Sequence, residues 1–146
     1  MSLLRSKIAL SAATLGLAAG SLALAVPANA DTIQGYSNFP CYNRICLSYH
    51  ANGIGSWWTS DATEWTDLAG EKFGVGMQGS TAYQGYGADV KNAAAWVANS
   101  GAEDLYVYVN SKAYNWGAYD VVKSTYAGNL GVTYNNEASY SIYNHG

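Results

Sequence analysis

The chain has 146 residues, 49% of them hydrophobic, with seven basic and ten acidic side chains and a net charge of −3. An acidic balance of this kind argues against nucleic acid as a partner, because such binding works by displacing counterions from phosphates with a basic face. The length fits a single domain with a core of useful size.

The first element is a leader. Arg5 and Lys7 precede an uncharged apolar stretch from Ile8 to Val26, and Ala28-Asn29-Ala30 supplies the small residues of a cleavage point. This is the pattern of a secretory signal peptide over residues 1–30. A membrane anchor is the alternative, since the stretch is nearly long enough to span a bilayer. Cleavage after Ala30 leaves 116 residues with five basic and ten acidic side chains, a net charge of −5. The expectation is a secreted, extracellular protein with no membrane attachment once the leader is gone, forming one domain over 31–146.

Residues 31–40, DTIQGYSNFP, read as an irregular approach to the two cysteines. Cys41 and Cys46 are the chain's whole complement, and in an oxidising compartment they pair as a disulfide. The chain-entropy model gives roughly 2 kcal/mol for so short a loop. ICLSYH (45–50) alternates as a half-buried strand does, and ANGIGS (51–56) follows as a glycine-rich turn. DATEWTDLAG (61–70) predicts a short helical turn, with Asp61 as cap, Glu64 three residues on and Gly70 as stop. KFGV is a short strand candidate, and 76–88 is a loop rich in Gly, Gln and Tyr. LYVYVN (105–110) is the clearest strand, with YDVV (119–122), GVTY (131–134) and ASYSIY (138–143) as further candidates.

One stretch gives two answers. In ADVKNAAAWVANSG, Val90, Ala93, Ala94 and Val97 fall on one helical stripe, with Gly101 placed to end it. Yet Asn92-Ala93-Ala94-Ala95-Trp96 echoes Asn136-Glu137-Ala138-Ser139-Tyr140, and ICLSYHANGIG echoes LYVYVNSKAYNWG. Two strand-rich halves, about 41–100 and 101–146, predict an all-β domain with a duplicated Greek key and at most short helical turns. With sixteen branched aliphatics in 31–146 against 20 aromatics, the rings are expected to form much of the interior.

Catalytic constellations are poorly represented. His50 and His145 have no zinc-ligand spacing, and Gly74-x-Gly76-x-x-Gly79 lacks the βαβ setting that gives such glycines a pyrophosphate to bind. Asp61, Glu64, Asp67 and Glu71 suit a solvated face as well as a carboxylate pair for glycoside hydrolysis or a surface calcium site.

The Cys-x₄-Cys-Leu-x-Tyr opening, the central VKN element and the closing NL…TYNNEASYSI resemble secreted proteins grouped as peptidase inhibitor family 36. The prototype of that family is a streptomycete metallopeptidase inhibitor with a βγ-crystallin-like fold. The resemblance covers most of 41–142 as scattered motifs. It implies two Greek keys packed as a β-sandwich and a non-enzymatic inhibitor whose partner is a secreted peptidase. βγ-Crystallin modules also carry a paired Asn/Asp turn that can hold calcium. Asn135, Asn136 and Ser139 match its first, second and fifth positions, while Tyr140 replaces the final Ser. In the earlier copy Lys91 and Asn92 take the paired positions and Ala95 replaces the hydroxyl, which leaves too few oxygens for a hard cation. No cofactor is required on this reading, and Ca²⁺ is an option at the second turn. The alternative is that Asn and Ser only satisfy a tight turn.

An inhibitor needs a rigid exposed segment, and disulfide-tied loops suit that role because little order is lost on binding. Tyr42, Asn43, Arg44 and Ile45 are the loop candidates, with Tyr and Arg as plausible anchors. A structural staple is the alternative for the same loop. The aromatic stretches SWWTSDATEW and AYNWGAY offer other contact loops, and a polysaccharide is the alternative ligand to a peptidase.

Overall fold

A computed structural model of the chain describes residues 30–35, 41–61, 64–74 and 84–146. The leader up to Asn29, Gly76 and Gly79 lie outside the described residues. Nine strands are described: β1 (Ala30–Ile33), β2 (Ile45–His50), β3 (Ile54–Ser60), β4 (Trp65–Asp67), β5 (Trp96–Asn99), β6 (Leu105–Tyr108), β7 (Tyr119–Val122), β8 (Ala127–Asn129) and β9 (Ser139–Ser141). They form two sheets, one in the order β3-β2-β5-β8 and the other β1-β7-β6-β9-β4.

That order is a pair of Greek keys packed as a β-sandwich. The first key, β2 to β5, places three strands in one sheet and sends its third, β4, to the edge of the other. The second key, β6 to β9, does the reverse with β8. Each sheet is therefore completed by a strand from the opposite half, so neither half closes its sheet without the other. β1 is an addition, running parallel to β7 with Ala30 opposite Tyr119 and Ile33 opposite Val122. Ala30, the last residue of the expected leader, thus stands at the start of a strand that continues through Asp31, Thr32 and Ile33. Gly128 on β8 makes room for β1, since a Cβ there would meet the Ile33 side chain at 2.7 Å.

The core between the sheets takes the inward positions of alternating strands. Ile45 and Leu47 of β2, Leu105 and Val107 of β6, Val97 of β5 and Val122 of β7 all lie in it. Trp58, Phe73 and Tyr140 are the rings that join them. Rings do form much of the buried interior, since Trp57, Trp96, Tyr108 and Trp116 are buried as well, but these four pack outside the space between the sheets. Trp57 and Trp96 contact each other at 5.2 Å over β3 and β5, beside the disulfide. Tyr108 meets Tyr119 at 5.3 Å and Trp116 at 4.9 Å on the outside of the other sheet.

Several local expectations are corrected. The alanine-rich stretch is a turn at 91–93 followed by β5, and both faces of that strand are covered, which explains its lack of alternation. SWWTS belongs to β3 for the same reason, with Trp57 facing out and Trp58 in. GVTY is a turn, and the third strand of its half is the shorter β8 just before it. The predicted helical turn at 61–70 is replaced by β4, paired with β9.

The halves repeat in register. Ile45 to Ser48 correspond to Leu105 to Tyr108, because Ser48 pairs with Trp96 as Tyr108 pairs with Ser139. The two turns before β5 and β9 meet each other directly. Asn92 N–H donates to the Glu137 carbonyl at 2.8 Å and Asn135 N–H donates to the Ala94 carbonyl at 2.9 Å. Asn92 and Asn135 share the left-handed backbone, with φ of 64° and 51°. The equivalent of Asn92 is therefore Asn135 rather than Asn136, a one-residue correction to the expected alignment.

Candidate functional site

The loop 41–46 enters β2. The Cys41–Cys46 disulfide is formed, as the cysteine count predicts. Pairing of Ile45 with Ser60 brings the residue after β3, Asp61, beside the loop. One Asp61 oxygen accepts the Arg44 backbone N–H at 2.9 Å and the other accepts the Asn43 side-chain amide at 3.2 Å. From the other side Ser100 donates its N–H to the Arg44 carbonyl at 2.8 Å and its hydroxyl to the Cys41 carbonyl at 3.0 Å. The loop is thus held covalently at its base and by hydrogen bonds from the ends of two neighbouring strands.

Its side chains divide sharply. Tyr42 is 85% exposed. The Arg44 side chain is only 19% exposed, ion-paired with Glu103. Its stem lies against Gly101, where a Cβ would meet Arg44 Nε at 3.0 Å. Ile45 is 0% exposed and packs in the inter-sheet core. Ile45 is therefore corrected from contact candidate to core residue, and Asn43 is half-buried and engaged with Asp61.

The repeat supplies an internal comparison. The corresponding entry to β6 is Gly101-Ala102-Glu103-Asp104, and there Asp104 pairs with Lys123 at 2.6 Å where Arg44 meets Asp61. The charge at both positions is reversed between the halves, and the link is made by the Arg44 backbone N–H in the first and by the Lys123 ammonium in the second. Only the first copy has a disulfide and an exposed ring; the second has Ala102 in the place of Tyr42.

The second expected site lies elsewhere, where the turns meet. Asn92 and Asn135, with Tyr49, His50, Ala93 and Tyr134, line a cleft of about 240 Å³. Asn135 and Asn136 are exposed, but Ser139 is buried in β9 with its hydroxyl donated to the Asn110 carbonyl at 2.6 Å. The structure therefore accounts for Ser139 by that bond, and for the left-handed Asn residues by the turns they close. Beneath the turns, Glu137 is fully buried. Its Oε1 accepts the N–H groups of Ala93 at 2.9 Å and Ala94 at 2.8 Å, while Oε2 is buried without a hydrogen-bond partner among the described residues. Burial pushes its carboxyl up to about 7, against the opposing pull of backbone N–H groups from both turns.

The acidic residues read as a cluster act separately. Asp61 braces the loop, Asp67 accepts the Ala69 N–H at 3.0 Å, and Glu71 accepts the Trp58 indole N–H at 2.8 Å. An aromatic layer stands on the outer face of the β6–β9 sheet. His145 stacks on Trp116 at 4.1 Å, and Trp65, 40% exposed, meets Trp116 edge-on at 6.1 Å beneath the Lys112 ammonium. Burial pushes the Tyr108 phenol in this layer up to about 12.

Sequence reasoning found the loop but missed what holds it. Asp61 reads as a helix cap, and nothing local marks Ser100 or Glu103, whose partners are 59 residues away in each case. Among the described residues no helix is long and apolar enough to cross a membrane. Compared with protein-family models, curated proteins and solved structures, the chain gives no match.

Proposed function

We propose that the chain is a secreted, non-enzymatic protein-binding domain that inhibits a secreted metallopeptidase with loop 41–46. One observation carries this reading: the loop is braced at both ends and along its backbone, yet it holds Tyr42 85% exposed. A ring on a fixed backbone binds with little loss of conformational freedom, and tyrosine buries a large amphipathic surface with only two side-chain torsions. Ala102 at the repeated position shows that the fold itself does not need an exposed ring there. The scattered motifs that resemble peptidase inhibitor family 36 favour a peptidase as the partner.

The test is direct. The chain from Asp31 onward, at micromolar concentration, is incubated with a thermolysin-like metallopeptidase and a trypsin-like serine peptidase. Slowed hydrolysis by the metallopeptidase is the expected result. Unchanged hydrolysis by both would remove the inhibitor reading.

A further inference from the structure

The loop offers a peptidase two candidate anchors, Tyr42 and Arg44, which call for opposite pockets. Tyrosine fits an apolar pocket, whereas arginine fits a pocket with a buried carboxylate, as in trypsin. Resting on the inhibitor reading above, we infer that Tyr42 is the specificity residue and that the target is a peptidase with an apolar side-chain pocket.

The argument rests on what each side chain is free to do. A specificity pocket takes a side chain along most of its length, so the anchor must leave its own protein. Arg44 is held by the Glu103 carboxylate, lies along Gly101, and has its backbone N–H and carbonyl bonded to Asp61 and Ser100. Extracting it would leave Glu103 without its cation and strip the cover from Gly101. Glu103 is itself 55% exposed, so the ion pair holds Arg44 only weakly, and the larger cost of extraction lies in uncovering the packed Arg44 stem. Tyr42 carries no such debt. Its ring stands in solvent, and its neighbours Cys41 and Asn43 are fixed by the disulfide, by Ser100 and by Asp61.

The comparison with the second half supports the same division of roles. Arg44 and Asp104 occupy matching positions, and each spends its charge on bracing, with Asp104 paired to Lys123 and hydrogen-bonded by the Ser124 N–H at 3.2 Å. A position used for bracing in both halves is a structural position. The exposed position two residues before the brace differs, since Ala102 stands in the second half where Tyr42 stands in the first. Other exposed rings exist, Tyr114 among them, but its turn at Lys112–Tyr114 has no covalent tie.

The experiment measures inhibition constants of the parent and three variants against a thermolysin-like peptidase selective for apolar residues and a trypsin-like one. Tyr42→Ala is expected to weaken inhibition of the apolar-selective enzyme about thirtyfold or more, the loss typical of a central aromatic anchor. Tyr42→Phe should stay within about threefold, because the pocket takes the ring, and Arg44→Met, which keeps the stem on Gly101, should do likewise. Melting temperatures of all three identify any loss that comes from unfolding. A parent that inhibits while Tyr42→Ala matches it overturns this inference and leaves the inhibitor reading standing. Inhibition confined to the trypsin-like enzyme and abolished by Arg44→Met also overturns it, and removes the metallopeptidase as the target. A parent that inhibits neither enzyme overturns both.

Discussion

Replacing Asp120 by alanine is expected to cost about 3 kcal/mol, the upper end of the range for leaving buried donors without an acceptor. Asp120 sits on β7, fully buried, and its carboxylate accepts the N–H groups of Gly131, Val132 and Thr133 at 3.1, 3.0 and 2.9 Å, with the Thr133 hydroxyl as a fourth donor. Alanine leaves the buried Thr133 N–H and hydroxyl without an acceptor, and the segment they belong to leads directly into the turn that clasps the first half. For a domain of this size the loss corresponds to a drop of roughly 15 °C in melting temperature. Asp120→Asn should recover only part of it, since its amide turns hydrogens toward donors. A calorimetric scan in which Asp120→Ala melts within a few degrees of the parent would show that the network contributes little.

The second large effect is a pH dependence. Glu137 has its carboxyl raised from 4.5 to about 7 by burial, so the folded protein holds a proton that the unfolded chain releases. Between these values the folded state binds more protons, and stability must fall as pH rises. The contribution is fully present below about 4.5 and is lost as pH rises through about 7. A shift of that size corresponds to about 3 kcal/mol. The Asp104–Lys123 pair does not mask it. Its hydrogen bond with Lys123 lowers the Asp104 carboxyl, whose contribution is lost only in more acidic solution; the same bond raises the Lys123 ammonium, which acts only in more alkaline solution. Glu137→Gln keeps an acceptor for the Ala93 and Ala94 N–H groups but cannot ionise. Its unfolding free energy should therefore vary much less than the parent's between pH 5 and pH 8. Parallel curves for the two proteins would remove Glu137 as the cause.

How far the fold could be read from residues depends on what covers each strand. β2, β6 and β7 have alternating or β-branched sequences, and all three were legible. β3 and β5 were not. Trp57 and Trp58 are both buried, and so are Val97 and Ala98, because rings or the disulfide cover the outside of that sheet. A strand buried on both sides loses its period, and an alanine run then imitates a helix. β1 and β8 are set by tertiary pairing: Gly128 has no strand propensity of its own, but it clears the space for Ile33. The internal repeat was visible, although matching Asn92 with Asn136 followed letters rather than backbone conformation. The candidate loop was legible from two cysteines. Its bracing by Asp61, Ser100 and Glu103 was not, since hydrogen bonds across the sandwich leave no local spacing to read.

Loop 41–46 is proposed as the surface that meets a peptidase. Hydrogen–deuterium exchange of the chain, free and bound to a thermolysin-like metallopeptidase, tests this most directly. Binding is expected to slow exchange at the amides of Tyr42 and Asn43 and in the adjoining 100–104 segment, and to leave 112–116 and 143–146 unchanged. Protection confined to the Trp116–His145 face, with the Tyr42 amide exchanging as fast as in the free chain, would contradict it.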